Sequence, residues 1–93
     1  ELTKLVREAD KIVKEEFEKA GLDSNTVEVR IYDCKTVGVQ GDKRVEGYPV
    51  EITVYDSGKI KMLEYDILGV IATRIPNEVA GIIRTMIAVG KRD

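Results

Sequence analysis

Ninety-three residues, 43% of them apolar and 34% charged, suffice for one packed domain and are too few for a catalytic domain plus a second module. A net charge of −2 without long polar or proline-rich runs predicts a soluble globular chain rather than a disordered one, and leaves no uniform basic field for nucleic acid. Histidine is absent, which excludes imidazole bases, histidine metal sites and Ser-His-Asp triads, and the single cysteine, Cys34, excludes an intrachain disulfide.

No apolar run approaches the roughly 18 residues of a membrane span, and the first residues lack the apolar core of a signal peptide, so a cytoplasmic location without membrane contact is expected. Leu2, Leu5, Val6, Ala9, Ile12, Val13, Phe17 and Ala20 recur at helical spacing against a charged opposite face, the pattern of an amphipathic helix with one buried stripe. Lys4–Glu8, Asp10–Lys14 and Glu15–Lys19 fall four residues apart on the outer face, and Gly21 stands where a left-handed C-terminal cap belongs. That charged face reads as solvated surface. After the Asp23-Ser24-Asn25 turn, Val27, Val29 and Ile31 alternate with Glu28, Arg30 and Tyr32 as in a half-buried strand. Asp33 and Lys35 then break the parity before Val37 and Val39 restore it, which predicts either a bulge or a bend between two strand segments. Cys34 lies on the opposite parity from those valines and reads as a small, unreactive packing residue.

The stretch from Thr36 to Val50 reads as a hairpin with a charged, glycine-flanked tip. Gly41-Asp42-Lys43-Arg44 turns the chain, and Tyr48, Val50, Ile52 and Val54 resume the alternation. Pro49 has no N–H to give a ladder, so it belongs at a sheet edge or at a bulge. Asp56-Ser57-Gly58 is the next turn, and Lys59 to Leu63 reads as a strand closing a second hairpin. Ile67, Leu68, Ile71, Ala72, Ile75 and Val79 then form a second helical stripe. Pro76 removes the hydrogen bond to the Ala72 carbonyl and predicts a kink or the first residue of a new helix. The tail fits two descriptions: a helix from Pro76 to Val89 capped by Gly90, or a strand carrying Ile83, Thr85, Ile87 and Val89 after a break at Gly81.

Four segments, in one order, resemble the C-terminal dimerisation domain of GMP synthase, the glutamine-dependent enzyme that aminates XMP. They are Leu5-Val6-Arg7-Glu8-Ala9-Asp10 with Glu15-Glu16 and Lys19-Ala20-Gly21-Leu22; Thr36 to Arg44 with Gly47-Tyr48-Pro49-Val50; Leu63 to Leu68; and Arg74-Ile75-Pro76-Asn77-Glu78-Val79-Ala80-Gly81-Ile82 with Arg84. The resemblance implies an α+β domain over residues 1–93 with two layers in α-β-β-α-β order, an antiparallel sheet packed against the helices. It extends the second helix to about Ala80 and makes Ile82 to Val89 a strand. The chain departs from the family at Asp56 to Lys61, where the family has D-x-M-T-A-D, and at Arg44-Val45-Glu46, where it has R-T-Y. Gly90-Lys91-Arg92-Asp93 stands where the family carries S-K-P-P-x-T-I-E-W-E, a tail that helps bind XMP.

Neither the S-G-G-x-D-S pyrophosphatase loop nor a glutaminase is present, and no G-x-x-x-x-G-K-[ST] or G-x-G-x-x-G occurs, so the chain is not expected to be catalytic alone. No calcium-loop spacing occurs, and no cofactor or metal is implied. The resemblance implies a non-enzymic dimerisation and interaction domain tied to GMP biosynthesis, a homodimer whose sheet leaves an apolar side for its mate. An ATP pyrophosphatase subunit of GMP synthase is the implied partner. The alternatives are a regulatory module binding XMP or GMP without catalysis, and a small α+β protein-interaction domain of unrelated function. For a nucleotide, Gly41, Asp42, Lys43 and Arg44 are the candidate ligand residues: backbone N–H groups and two cations suit a phosphate, although a hairpin tip needs glycine and charge in any case. Arg74 and Arg84 are candidates for an interface or a ligand.

Overall fold

The computed structural model describes residues 2–40 and 43–90, arranged as two helices against one face of a five-stranded sheet. Helix α1 (Leu2–Lys19) ends as the glycine predicts: Gly21 has a φ of 73°, Leu22 N–H donates to the Phe17 carbonyl at 2.8 Å, and Gly21 N–H donates to the Glu18 carbonyl at 3.1 Å. This double closure is a Schellman cap, and Leu22 packs back onto the core. On the outer face Asp10 and Lys14 pair at 3.9 Å, whereas Lys19 takes Glu16 at 3.4 Å because Glu15 turns toward the second helix.

Two short strands, β1 (Val27–Ile31) and β2 (Thr36–Gln40), pair antiparallel with successive parts of one long strand, β3 (Lys43–Asp56). Of the two forms predicted for Asp33 to Lys35, the chain adopts the bend. Cys34 lies in it, exposed rather than packed, because the bend carries the residue off the sheet. The turn Ser57-Gly58 has positive φ at both residues (54° and 82°), the geometry of a tight hairpin, and β4 (Lys59–Ile60) returns for two residues only. The expected strand to Leu63 stops short, with Lys61 N–H making a last bond to the Val54 carbonyl at 2.7 Å.

Helix α2 (Tyr65–Glu78) then carries the chain back over the sheet to β5 (Ile82–Ile87), which settles the tail as strand. Pro76 neither kinks off a new helix nor starts one. It sits in the last turn of α2, where the bond it removes is one of the last, and Val79 N–H closes the helix on the Ile75 carbonyl at 2.9 Å. The α+β class and antiparallel framework are as expected, with one departure: β5 runs parallel to β3, since a helical crossover returns the chain to the same end of the sheet. Pro49 therefore lies in the central strand, and a bulge accommodates it. The register shifts between Tyr48 and Pro49, with Ile83 the extra residue on β5. Tyr48 N–H points to the β5 side and donates to Gly81; Pro49 faces the other way, where its carbonyl accepts from Tyr32 N–H at 3.1 Å. Its missing donor thus falls between the last β1 pair, Ile31 with Val50, and the first β2 pair, Thr36 with Gly47, where it interrupts neither ladder.

Ala9, Val13 and Phe17 of α1 and Ile71 and Ile75 of α2 close on Val27, Val50, Ile52, Val54 and Ile82 to form the core. The opposite face of the sheet is mixed: alternation and register put Glu28, Arg30, Glu51, Thr53 and Arg84 there together with Pro49, Tyr55 and Met86, and Tyr32 Oη donates to the Glu51 carboxylate at 3.0 Å. The large apolar side chains left exposed among the described residues are Val37 on β2, Met62, Tyr65 and Val70 around the start of α2, and Val89 after β5. No helix among the described residues is long and apolar enough to cross a membrane.

Candidate functional site

The outer halves of the hairpin, Thr36–Gln40 against Lys43 to Gly47, form an arm beyond the body of the sheet. Two glycines let it fold down onto the start of β5. The bulged Ile83 lies against Gly38 and Gly47; a β-carbon on Gly47 would stand 2.6 Å from Ile83 Cγ2 and 2.7 Å from the Gly81 carbonyl oxygen, so no other residue fits there without displacement. At Gly38 the same contact would be 3.4 Å. Tyr48 N–H to the Gly81 carbonyl at 2.8 Å and Arg84 Nη2 to the Val37 carbonyl at 3.4 Å hold the arm from either side.

Beneath the arm lies a cleft of about 560 Å³, within the range of small-ligand sites. Its walls come from two of the segments singled out in the sequence: Gly38, Val45 and Glu46 from the arm, and Pro76 to Ile83 from the end of α2 and the turn into β5. Glu46, Glu78 and the Asn77 amide are its polar side chains, and both Glu78 carboxylate oxygens already accept from Arg74. Cations stand around it rather than in it. Arg84 reaches the carbonyl of Val37 next to the lining residue Gly38, and Lys43 and Arg44 lie exposed farther out along the arm, Arg44 opposite Val39. Gly41 and Asp42, named with them from the sequence, lie outside the described residues.

Arg74 faces away from the cleft toward α1. Its Nε and Nη2 donate to Glu78 at 2.6 and 2.9 Å, Nη1 donates to Glu16 at 2.7 Å, and Nη2 also donates to Glu15 at 3.2 Å. Those bonds hold the Glu16 and Glu78 carboxyls below the usual carboxylate range and raise the guanidinium further still. The cluster ties the two helices together and orients Glu78 at the cleft wall. Glu15, Glu16, Glu46, Asn77 and Gly47 were not picked out from the sequence as site residues; all five fall inside the matched segments or beside them, which is the signal that pointed their way. Among the described residues no group of three or more His, Cys, Asp or Glu is placed to hold a metal ion.

The model of the GMP synthase C terminal domain matches residues 15–93. The GMP synthase [glutamine-hydrolyzing] of Streptomyces avermitilis is 41% identical over 93 residues, covering 91% of this chain and 18% of that protein. Its counterpart in Bifidobacterium longum is 40% identical over 91 residues, covering 89% of the chain and 17% of the relative. The chain thus spans less than a fifth of the length of these curated relatives. In structure it is similar to the "putative redox protein" of Lactobacillus casei, with a TM-score of 0.56 over 98% of this chain and 64% of that one; at 12% identity this likeness concerns the fold alone.

Proposed function

Because the chain belongs to the family of GMP synthase C-terminal domains, we propose that it acts as a non-catalytic dimerisation and interaction domain of that type, in the cytoplasm and within GMP biosynthesis. The match over residues 15–93, at about 40% identity to two full-length synthases, is the observation that carries this reading. The self-contained core, closed by α1 and α2 over one sheet face, is what a module needs to keep its shape while its remaining surface meets other chains. An ATP pyrophosphatase unit of GMP synthase is the second partner in this reading, since the relatives it matches are whole GMP synthases. Sedimentation velocity over a dilution series tests the dimer: a species of twice the chain's mass is expected at micromolar concentration, and a strict monomer throughout contradicts it.

A second reading, favoured by the cleft, is that the chain also binds XMP or GMP without turning it over. Purine N–H groups are donors suited to the Glu46, Glu78 and Asn77 walls, while a phosphate would reach outward to Arg84 and to Lys43 and Arg44 on the arm. Thermal shift with XMP, GMP and ATP tests it. Ligand at a hundred times its dissociation constant adds about 2.7 kcal/mol, so a flat response to millimolar XMP and GMP removes the reading. Arg44→Ala should abolish the nucleotide-induced shift and leave the ligand-free melting temperature unchanged, because Arg44 is exposed and distant from the core. An undiminished shift takes Arg44 out of the site.

A further inference from the structure

The arm differs from the rest of the sheet in what holds it. β5 pairs with β3 only from Tyr48 onward, so over Lys43 to Gly47 the long strand has β2 as its ladder partner and the arm is a two-stranded ribbon. The core draws on α1, α2, β1, β5 and, within β3, on Val50, Ile52 and Val54, whereas Val37 on the arm is 41% exposed. Where the ribbon meets the body, both of its strands leave regular pairing. Tyr32 to Lys35 make the bend on one, and on the other Tyr48 and Pro49 carry the register shift. Between the pairs Ile31 with Val50 and Thr36 with Gly47, four residues of one strand thus face two of the other, and this slack lies on one line across the ribbon. Segments with few buried apolar contacts open at lower cost than a core, and hinges form at element ends that absorb a change of φ and ψ.

The grip of the arm on β5 loosens outward from that line. At its root Tyr48 N–H donates to the Gly81 carbonyl at 2.8 Å, and Gly47 sits so close that a β-carbon there would stand 2.6 Å from Ile83 Cγ2. Farther out the corresponding distance at Gly38 is 3.4 Å, and the exposed bond from Arg84 to the Val37 carbonyl is also 3.4 Å long. A tight root and a light outer latch are the parts of a pivoting flap. We propose that the arm is a hinged lid over the cleft, turning at Tyr48–Pro49 and at the Asp33–Lys35 bend, latched on β5 by Arg84 and Ile83, and lifting to pass a ligand. The ligand, XMP or GMP, rests on the second reading above, while the hinge rests on the strand pairing alone. When the lid lifts, Gly38, Val45 and Glu46 leave the cleft wall and Pro76 to Ile83 stay with the body, so a walled cleft becomes an open shelf. A bound ligand touches both sides and holds the lid down.

The geometry offers a lock for the test. A β-carbon on Gly38 would stand 3.9 Å from the Ile83 β-carbon, the separation of a disulfide, so Gly38→Cys with Ile83→Cys in a Cys34→Ser background should close on mild oxidation and pin the lid. XMP association, followed by stopped-flow mixing, should be slower by about tenfold or more in the oxidised form than in the same protein reduced. Equal rates overturn the lid. A second measurement needs no ligand: spin labels at Val37→Cys on the arm and Lys11→Cys on α1, again with Cys34→Ser, in labelled chain diluted into unlabelled. Two distances are expected, the lifted one enlarged by Arg84→Met, which removes the latch. A single distance, unchanged by Arg84→Met, overturns the hinge. Should XMP bind neither form of the locked protein, the nucleotide reading falls and the label pair decides the hinge; it decides likewise if the double-cysteine variant fails to fold.

Discussion

Three carboxylates from two helices converge on Arg74, whose side chain is 24% exposed, and the arrangement carries a sign that can be checked. An isolated surface ion pair contributes little, but one guanidinium shared by Glu15 and Glu16 of α1 and Glu78 of α2 is a network spanning two elements. The Glu16 and Glu78 carboxyls titrate below their ordinary value of 4.5, chiefly through their hydrogen bonds to Arg74. As the pH falls, the unfolded chain therefore takes up protons first. The stability these groups contribute is complete above the ordinary carboxylate value and is lost as the pH drops through the lower folded values. Arg74→Met, which keeps the bulk and removes the charge, should melt below the wild type at pH 7, with the difference shrinking steadily as the pH is lowered from 5 toward 3. A difference that stays constant with pH would show that the ion pairs are not its source.

At the scale of elements, the arm and the α2–β5 turn act as one assembly, because Ile83 reaches both through the bulge opposite Tyr48 and Pro49. Gly47 is where the assembly is tightest. Gly47→Ala forces a methyl group to within 3 Å of a backbone carbonyl oxygen and should cost about 1–3 kcal/mol in urea unfolding, in the manner of an overpacked site. Gly38→Ala meets only the Ile83 Cδ1 methyl at 3.4 Å and should cost less than about 1 kcal/mol. Equal costs at the two positions would mean that the arm is not seated on β5 as described. The same seating shapes the cleft, since Gly38, Val45 and Glu46 line it only while the arm stays down.

For the molecule as a whole, what the sequence disclosed followed the range of the interactions. The stripe of α1, its cap at Gly21 and the break at Asp33 to Lys35 are local, so period and glycine placement revealed them. The direction of β5 and the central position of Pro49 depend on which strand a distant segment joins, and alternation is the same for a parallel as for an antiparallel neighbour. Pro76 carries the same message: its penalty depends on how much helix follows, and here only two residues do. At the candidate site the matched segments were visible, yet the cleft was not, because it arises where strand curvature brings the arm onto a turn more than thirty residues away. Arg74 likewise stood out as a motif residue while its partners Glu15 and Glu16, nearly sixty positions earlier, did not. The alternation of β1 likewise did not show which outward residues of β3 and β5 would share its open face, where Met86 stands across from Glu51 and Arg84 across from Pro49. Association with a second copy is the centre of the account, and amide hydrogen exchange at two concentrations, far below and far above the association midpoint, tests it most directly. Slower exchange in the concentrated sample, confined to one contiguous surface, is the predicted result; exchange independent of concentration would contradict it.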